Sequence, residues 1–130
     1  MVLDILLPMI QTAIDDGTSL KTYGTYAVEN ASFPYLVIVP IGGFPDAENT
    51  GSTRLERESV LFSVFSTSDT EAARLIRLLE KALLLLPVKE ANFVSSGLEK
   101  DPDQTNEGLD VYIGRLVMEF VLQTTPSTYV

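Results

Sequence analysis

The spacing of apolar residues predicts a helix near the N-terminus. Five aliphatic side chains recur at helical spacing on one face, which is typical of an amphipathic helix. They are Leu3, Leu6, Leu7, Ile10 and Ile14. Gly17 is a suitable stop for this helix. Pro8 falls inside the pattern, so we expect either a kink there or a later start.

A second amphipathic helix is predicted after residue 68. Ser68-Asp69-Thr70-Glu71 has the form of a capping box, in which the Ser hydroxyl and the Glu carboxylate satisfy free amides at the helix start. Pro87 is expected to end the helix. Its apolar stripe comprises Ala72, Leu75, Ile76, Leu79, Leu83 and Leu86, while Arg74, Arg77 and Lys81 face outward.

Five other segments have the composition of strands, at 20–28, 35–39, 54–68, 90–99 and 109–123. The segment 35–39 is apolar on both alternations, which indicates a strand that is buried on both faces or lies centrally in the sheet. Pro40 marks an edge or a bulge, and Gly42-Gly43 is expected to release the chain into a polar loop at 44–53.

The order helix, strand, strand, strand, helix, strand, strand predicts an α+β fold. We expect a mostly antiparallel sheet of about five strands with the two amphipathic helices packed against it. A length of 130 residues suits one domain. We therefore predict a single domain over 1–130, with 124–130 as a flexible tail.

Composition narrows the classes of function. The chain has no Cys and no His, which removes disulfides, thiolate metal sites and the commonest general base. The chain has nine basic and 18 acidic residues, and its net charge of -9 opposes tight binding to nucleic acid. Asp4 interrupts the first apolar run and the run at 82–88 is short, so we expect neither a signal peptide nor a membrane span.

Candidate chemistry is sparse. Glu56 and Glu58 share one face of a strand and could act as paired carboxylates, but Arg54 and Arg57 alternate with them, which fits a solvated surface better. The loop at 100–108 lacks the Gly and Glu that a calcium-binding loop requires. We therefore expect no enzyme activity, no cofactor and no metal.

Two segments are candidates for contact with another subunit. The first half of the strand at 54–68 is charged on both faces, so Arg54, Glu56, Arg57 and Glu58 are expected to project beyond the core; a solvated hairpin tip is the alternative. Phe44 and Pro45 follow the paired glycines, and an aromatic side chain in a loop needs a partner. Alternatively, Phe44 folds back on its own core.

Several of these elements come in an order that resembles one protein family. "FPYLVIV" at 33–39 opens an apolar strand, "VLFSVFSTS" at 60–68 leads directly into a helix, and a long strand follows near the C-terminus. The chain, from its first helix to residue 123, resembles the tail terminator (tail completion) proteins of long-tailed bacteriophages and prophages. These are small α+β proteins at the head-proximal end of the tail.

The resemblance implies a structural protein of the virion, assembled in the bacterial cytoplasm. It implies a homo-oligomeric ring, typically a hexamer, that caps the tail tube, ends its polymerisation and meets the head-tail connector protein. DNA would pass through such a ring without specific binding, and an acidic lumen would repel phosphates. Candidates for that lumen are Asp46, Glu48, Asp101, Asp103 and Glu107. A tube or connector subunit, or an unrelated ligand-binding α+β domain, are the alternatives.

Overall fold

A computed structural model describes residues 2–18, 20–23, 32–45, 54–101 and 110–124. It contains two helices and five strands, which confirms the α+β fold. The elements in chain order are α1 (Val2–Gly17), β1 (Lys21–Tyr23), β2 (Tyr35–Pro45), β3 (Arg54–Ser66), α2 (Asp69–Leu83), β4 (Glu90–Asp101) and β5 (Val111–Thr124). Part of the first predicted strand and all of the predicted tail after residue 124 lie outside the described residues.

The five strands form one mixed sheet in the order β1-β2-β3-β5-β4. Only the short β1 is parallel to its neighbour, β2. The β2–β3, β3–β5 and β4–β5 pairs are antiparallel. The sheet is thus mostly antiparallel, as predicted, and β5 lies between β3 and β4 although it follows both in the chain.

Both helices pack on the same face of the sheet. Even-numbered side chains of β3 and β5 point toward the helices, because alternate residues of a strand share a face. The core joins Leu6, Ile10 and Ile14 of α1 and Leu75, Ile76, Leu79 and Leu83 of α2 to Val60, Phe62, Val64, Leu116, Met118, Phe120 and Leu122. Pro8 is accommodated inside α1, which runs without interruption from Val2.

Three side chains fix the start of α2. Ser68 is the N-cap, and its hydroxyl accepts a hydrogen bond from the Glu71 backbone N–H at 3.2 Å. The Glu71 carboxylate accepts from the Ser66 hydroxyl at 2.6 Å, and that hydroxyl accepts from the Ser68 backbone N–H at 3.1 Å. The predicted Ser68 cap is confirmed. The Glu71 carboxylate, predicted to accept from a free amide, accepts from the Ser66 hydroxyl instead, and Ser66 takes the Ser68 N–H.

The aromatic residues that open β2 pack on the face away from the helices. Tyr35 pairs with Phe65 of β3, and their rings stack with centroids 4.9 Å apart. The Phe33 ring lies 5.3 Å from that of Tyr35, after a cis Phe33–Pro34 peptide bond. Phe33 and Tyr35 therefore form, with Phe65, a short row of packed aromatic rings at the start of β2.

The structure corrects two predictions about strand ends. Gly42-Gly43 do not release the chain into a loop, since β2 continues to Pro45 after a register shift between Pro40 and Gly42. The predicted bulge is confirmed, and it lets the strand continue past a residue that lacks an N–H. In the first half of β3, which pairs with β5 from Arg54 onward, Glu58 is buried and not exposed as predicted.

Candidate assembly surface

The free edge of β4 is the most exposed regular element among the described residues. β4 bonds to β5 along one side and is the last strand of the sheet on the other. Of its twelve residues only Asp101 is buried, so the strand is exposed on both faces. Phe93, Val94 and Leu98 are 48%, 54% and 47% exposed. These are apolar side chains on an edge that a monomer would ordinarily protect.

One groove runs between β4 and α2. Phe93 pairs with Met118 and Leu98 with Gly114, which places both side chains on the helix side of the sheet. Across the groove lie Ala73, Ile76, Arg77 and Glu80 of α2, enclosing about 430 Å³. The floor of this β4 groove is apolar, and its helical wall carries charge.

That wall is basic. Arg74, Arg77 and Lys81 are exposed and follow one another at i, i+3 and i+7, so they form a stripe along one side of α2. They are three of the nine basic residues in the chain. Arg74, Arg77 and Lys81 form no ion pair with any described residue, whereas Arg57 pairs with Glu119, Lys100 with Asp110 and Arg115 with Glu99.

A second groove lies on the other side of α2, against α1. It encloses about 470 Å³ and is lined by apolar residues including Met9, Ala13, Leu85 and Pro87. Leu85 is 78% exposed, the largest exposure among the bulky apolar side chains of the described residues. Asp16 closes one end of this α1 groove. The groove is therefore apolar with an acidic end.

The acidic end coincides with the C-terminus of α1. Asp15 and Asp16 are exposed in the last turn, which holds no basic residue. The backbone carbonyls at a helix C-terminus carry partial negative charge, so two aspartates there are unfavourable in the isolated chain. Gln11 donates a hydrogen bond to Asp15 Oδ1 at 2.9 Å, but an amide does not neutralise the charge.

The sequence-predicted contact residues lie at the far end of β2 and β3, apart from β4. The backbone of Phe44 pairs with Arg57 and that of Pro45 with Glu56. Of Phe44, Pro45 and Arg54 the structure describes the backbone alone. Arg57 is half-buried and its guanidinium donates to Glu119 at 2.7 Å. These residues belong to the sheet, and their contact with another subunit stays a prediction.

Glu58 departs furthest from its predicted exposure, because only 8% of the residue is accessible. It pairs with Phe120 and lies on the helix side of β3. Its Oε2 accepts no hydrogen bond within the described part of the chain. Burial, and secondarily the negative charge of Glu56, raises the pKa of the Glu58 carboxyl above its ordinary value.

Of the five acidic residues predicted to face a lumen, one is described. Asp101, the last residue of β4, is 7% exposed, so it does not present its charge freely as predicted. Asp46, Glu48, Asp103 and Glu107 lie outside the described residues.

The described residues offer little for chemistry of other kinds. They hold no group of three acidic side chains placed to share a metal ion. None of their helices is long and apolar enough to cross a membrane.

Sequence reasoning identified the β4 strand but missed its exposure. The segment 90–99 mixes apolar, polar and small residues without the alternation of a half-buried strand. This lack of alternation is the feature of the sequence that could have indicated the exposure of β4. The stripe Arg74, Arg77 and Lys81 was predicted to face outward, and it does. What the sequence did not indicate is that this stripe borders an apolar groove.

No protein-family model matches the chain, and a search of curated proteins finds no match either.

Proposed function

We propose that this protein is a non-catalytic structural subunit of a long-tailed bacteriophage or prophage, of the tail terminator type. Copies of it assemble into a ring, a hexamer in this proposal, that caps the tail tube and stops its growth. The ring then offers its other side to the head-tail connector protein. The support is the order of sequence elements around "FPYLVIV" and "VLFSVFSTS", together with one feature of the fold.

That feature is the exposed edge of β4, which a bulge between Phe93 and Ser95 and charged residues at the two ends of the strand shield only in part. Monomeric proteins shield edge strands with charges, prolines, bulges or covering loops, because an open edge pairs with other chains. Here a twelve-residue strand is exposed on both faces and carries Phe93, Val94 and Leu98 near its middle. One register shift, between Phe93 and Ser95, is its only irregularity. Such an edge is best explained as a surface that assembly covers.

The charge of the chain fits a ring that DNA traverses. A net charge of -9 repels phosphates, so DNA slides past without adhering. The proposed location is the head-proximal end of the virion tail, reached after assembly in the bacterial cytoplasm.

The test is to measure the native mass of the purified chain against concentration and to image the assemblies by electron microscopy. The chain is also mixed with purified tail-tube protein of a long-tailed bacteriophage. Closed rings with an open bore, bound at one end of tubes whose lengths they fix, support the proposal. Tubes that incorporate the protein along their length assign it to the tube instead. Tubes that grow unchanged in its presence contradict the terminator function.

A ligand-binding domain is the second candidate, and the α1 groove is the observation that favours it. A concave apolar volume of about 470 Å³ falls within the range of small-molecule sites. Its one flanking charge, Asp16, gives it little to orient a ligand. A rise in melting temperature with an apolar, cationic small molecule would support this candidate, because a ligand that binds only the folded state stabilises it.

A further inference from the structure

We infer that the α1 groove of one copy docks onto the β4 groove of a second copy. This inference rests on the self-assembly part of the proposed function and names the two surfaces that meet. The occupant of each groove is a second copy of the same chain, which contributes its other groove. The argument uses charge, apolar exposure and the position of both grooves around α2.

Charge gives the first argument. The β4 groove is lined by Arg77 and Glu80, and Arg74 and Lys81 join Arg77 in the adjoining depression beside Leu98, so this side of α2 is basic on balance. None of the three cations has a carboxylate partner among the described residues. The α1 groove ends at Asp16, next to Asp15, where the helix terminus adds further negative charge. Each surface therefore supplies the charge that the other lacks, and complementary potentials set the register of an interface.

Apolar exposure gives the second argument. Leu85 and Leu84 stand exposed beside the α1 groove at 78% and 45%, and Phe93 and Leu98 stand exposed at the β4 groove. A centre of bulky apolar side chains with charges at the rim is the usual arrangement of a protein interface. Docking the two grooves buries both sets of side chains together and leaves Arg77 and Asp16 at the rim.

The position of the grooves determines the kind of assembly. Arg77 lines one groove and Ala82 the other. At about 100° per residue, these two positions are about 140° apart around α2. Because the two surfaces differ, their contact is heterologous. A row of copies therefore keeps one unoccupied β4 groove at one end and one unoccupied α1 groove at the other. Such contacts generate a ring when the rotation between copies closes, and not an isolated twofold dimer.

Charge reversal tests the inference directly. Arg77→Glu and Asp16→Arg are each expected to weaken self-association by about tenfold or more, because each places like charges against one another. Combining both substitutions in one chain restores association, since every interface again joins opposite charges. Mixing the two single variants restores it as well, in alternating copies. Lys89→Glu makes the same change of net charge as Arg77→Glu at an exposed residue that lines neither groove; it is the matched control for that variant and leaves association unchanged.

Cysteine cross-linking provides a second readout that does not depend on charge. The chain has no Cys, so Leu98→Cys in one copy and Leu85→Cys in another introduce one thiol on each surface. Disulfides between the two variants are expected to exceed those within either variant. Equal yields of all three products overturn the inference. So does a chain that stays monomeric up to about 1 mM.

The outcomes separate this inference from the proposed function. If complementary substitutions restore assembly but the assemblies never cap tail tubes, the groove contact stands and the terminator function fails. If capping rings form and are insensitive to Arg77→Glu and Asp16→Arg, the function stands and the groove contact is wrong.

Discussion

Gly114 of β5 lies directly beneath Ile76 of α2. A Cβ at Gly114 would meet Ile76 Cγ1 at 2.6 Å and the carbonyl oxygen of Ala72 at 3.3 Å. The close approach of helix and sheet at this point therefore requires the absence of a side chain. Gly114→Ala is expected to destabilise the fold by about 1–3 kcal/mol, because the Ile76 side chain and the helix backbone must both move. Chemical denaturation measures this change.

Gly97 provides the control for that prediction. It lies one strand away in β4, paired with Arg115, and a Cβ there meets nothing within 4 Å. Gly97→Ala is expected to change the free energy of unfolding by no more than about 0.5 kcal/mol. Equal losses of stability in the two variants would show that the close approach of α2 to Gly114 is not the cause of the destabilisation.

The cap of α2 gives a second prediction. Ser68→Ala removes the hydroxyl that accepts from the Glu71 N–H, and it is expected to cost about 0.5–2 kcal/mol of stability. Thr67→Ala, which also removes a hydroxyl but at the exposed neighbouring residue, is expected to have an effect within about 0.5 kcal/mol. Thermal unfolding of the two variants side by side distinguishes a specific cap from a general effect of losing a hydroxyl in the β3–α2 connection.

Glu58 makes stability depend on pH. Its pKa in the folded state is raised above the ordinary value of 4.5, so the folded state holds this proton more tightly than the unfolded state does. The contribution of the Glu58 carboxyl to the free energy of unfolding is therefore greatest below pH 4.5. This contribution falls as the pH rises from 4.5 to the raised pKa, and it does not change further above that pKa. Glu58→Gln is expected to remove that fall, which unfolding curves between pH 4 and pH 8 measure.

The same carboxylate-to-amide change at the exposed Glu90 is the control for this prediction. In the Glu90→Gln variant, the free energy of unfolding is expected to differ between pH 4 and pH 8 by as much as it does in the wild type. A Glu58→Gln protein that still loses stability with the wild-type slope would mean that another group is responsible.

The edge of β4 gives a fourth prediction. Val94→Lys places a charge on an edge strand, a device that proteins use to prevent edge pairing. It is expected to shift assembly to at least about tenfold higher protein concentration while leaving the melting temperature of the monomer unchanged, since Val94 is 54% exposed. Native mass measurement checks the assembly.

Gln123→Lys adds the same charge at an exposed position near the end of β5 and controls for net charge. If both variants assembled like the wild type, the β4 edge would not be part of the contact.

The helices and strands were readable from the sequence where a local signal was strong. Ser68 and Glu71 indicated the start of α2, and the alternation of Val60, Phe62 and Val64 placed the core face of β3. The end of β2 was not readable, because paired glycines signal a turn and only the partner strand reveals that pairing continues.

The candidate site was harder to predict than the fold. Glu58 has the sequence context of a solvated residue, and its burial depends on neighbours from β5 such as Phe120. The two grooves depend on how far α2 stands from β4 and from α1. That distance is set by packing at Gly114 and at Gly17, where a Cβ would come within 3.0 Å of Ala82 Cβ.

The placement of β5 between β3 and β4 also bears on how the chain folds. The β3–β5 ladder runs from Ser66–Tyr112 to Arg54–Thr124, so every one of its pairs joins residues far apart in the chain. β3 and β4 each bond to β5 and not to each other, and without β5 Phe62 and Val64 lack the neighbours that complete the core. Folds dominated by such distant pairings fold slowly, in about milliseconds to seconds. β4 is therefore connected to the rest of the sheet only through the last strand of the described chain.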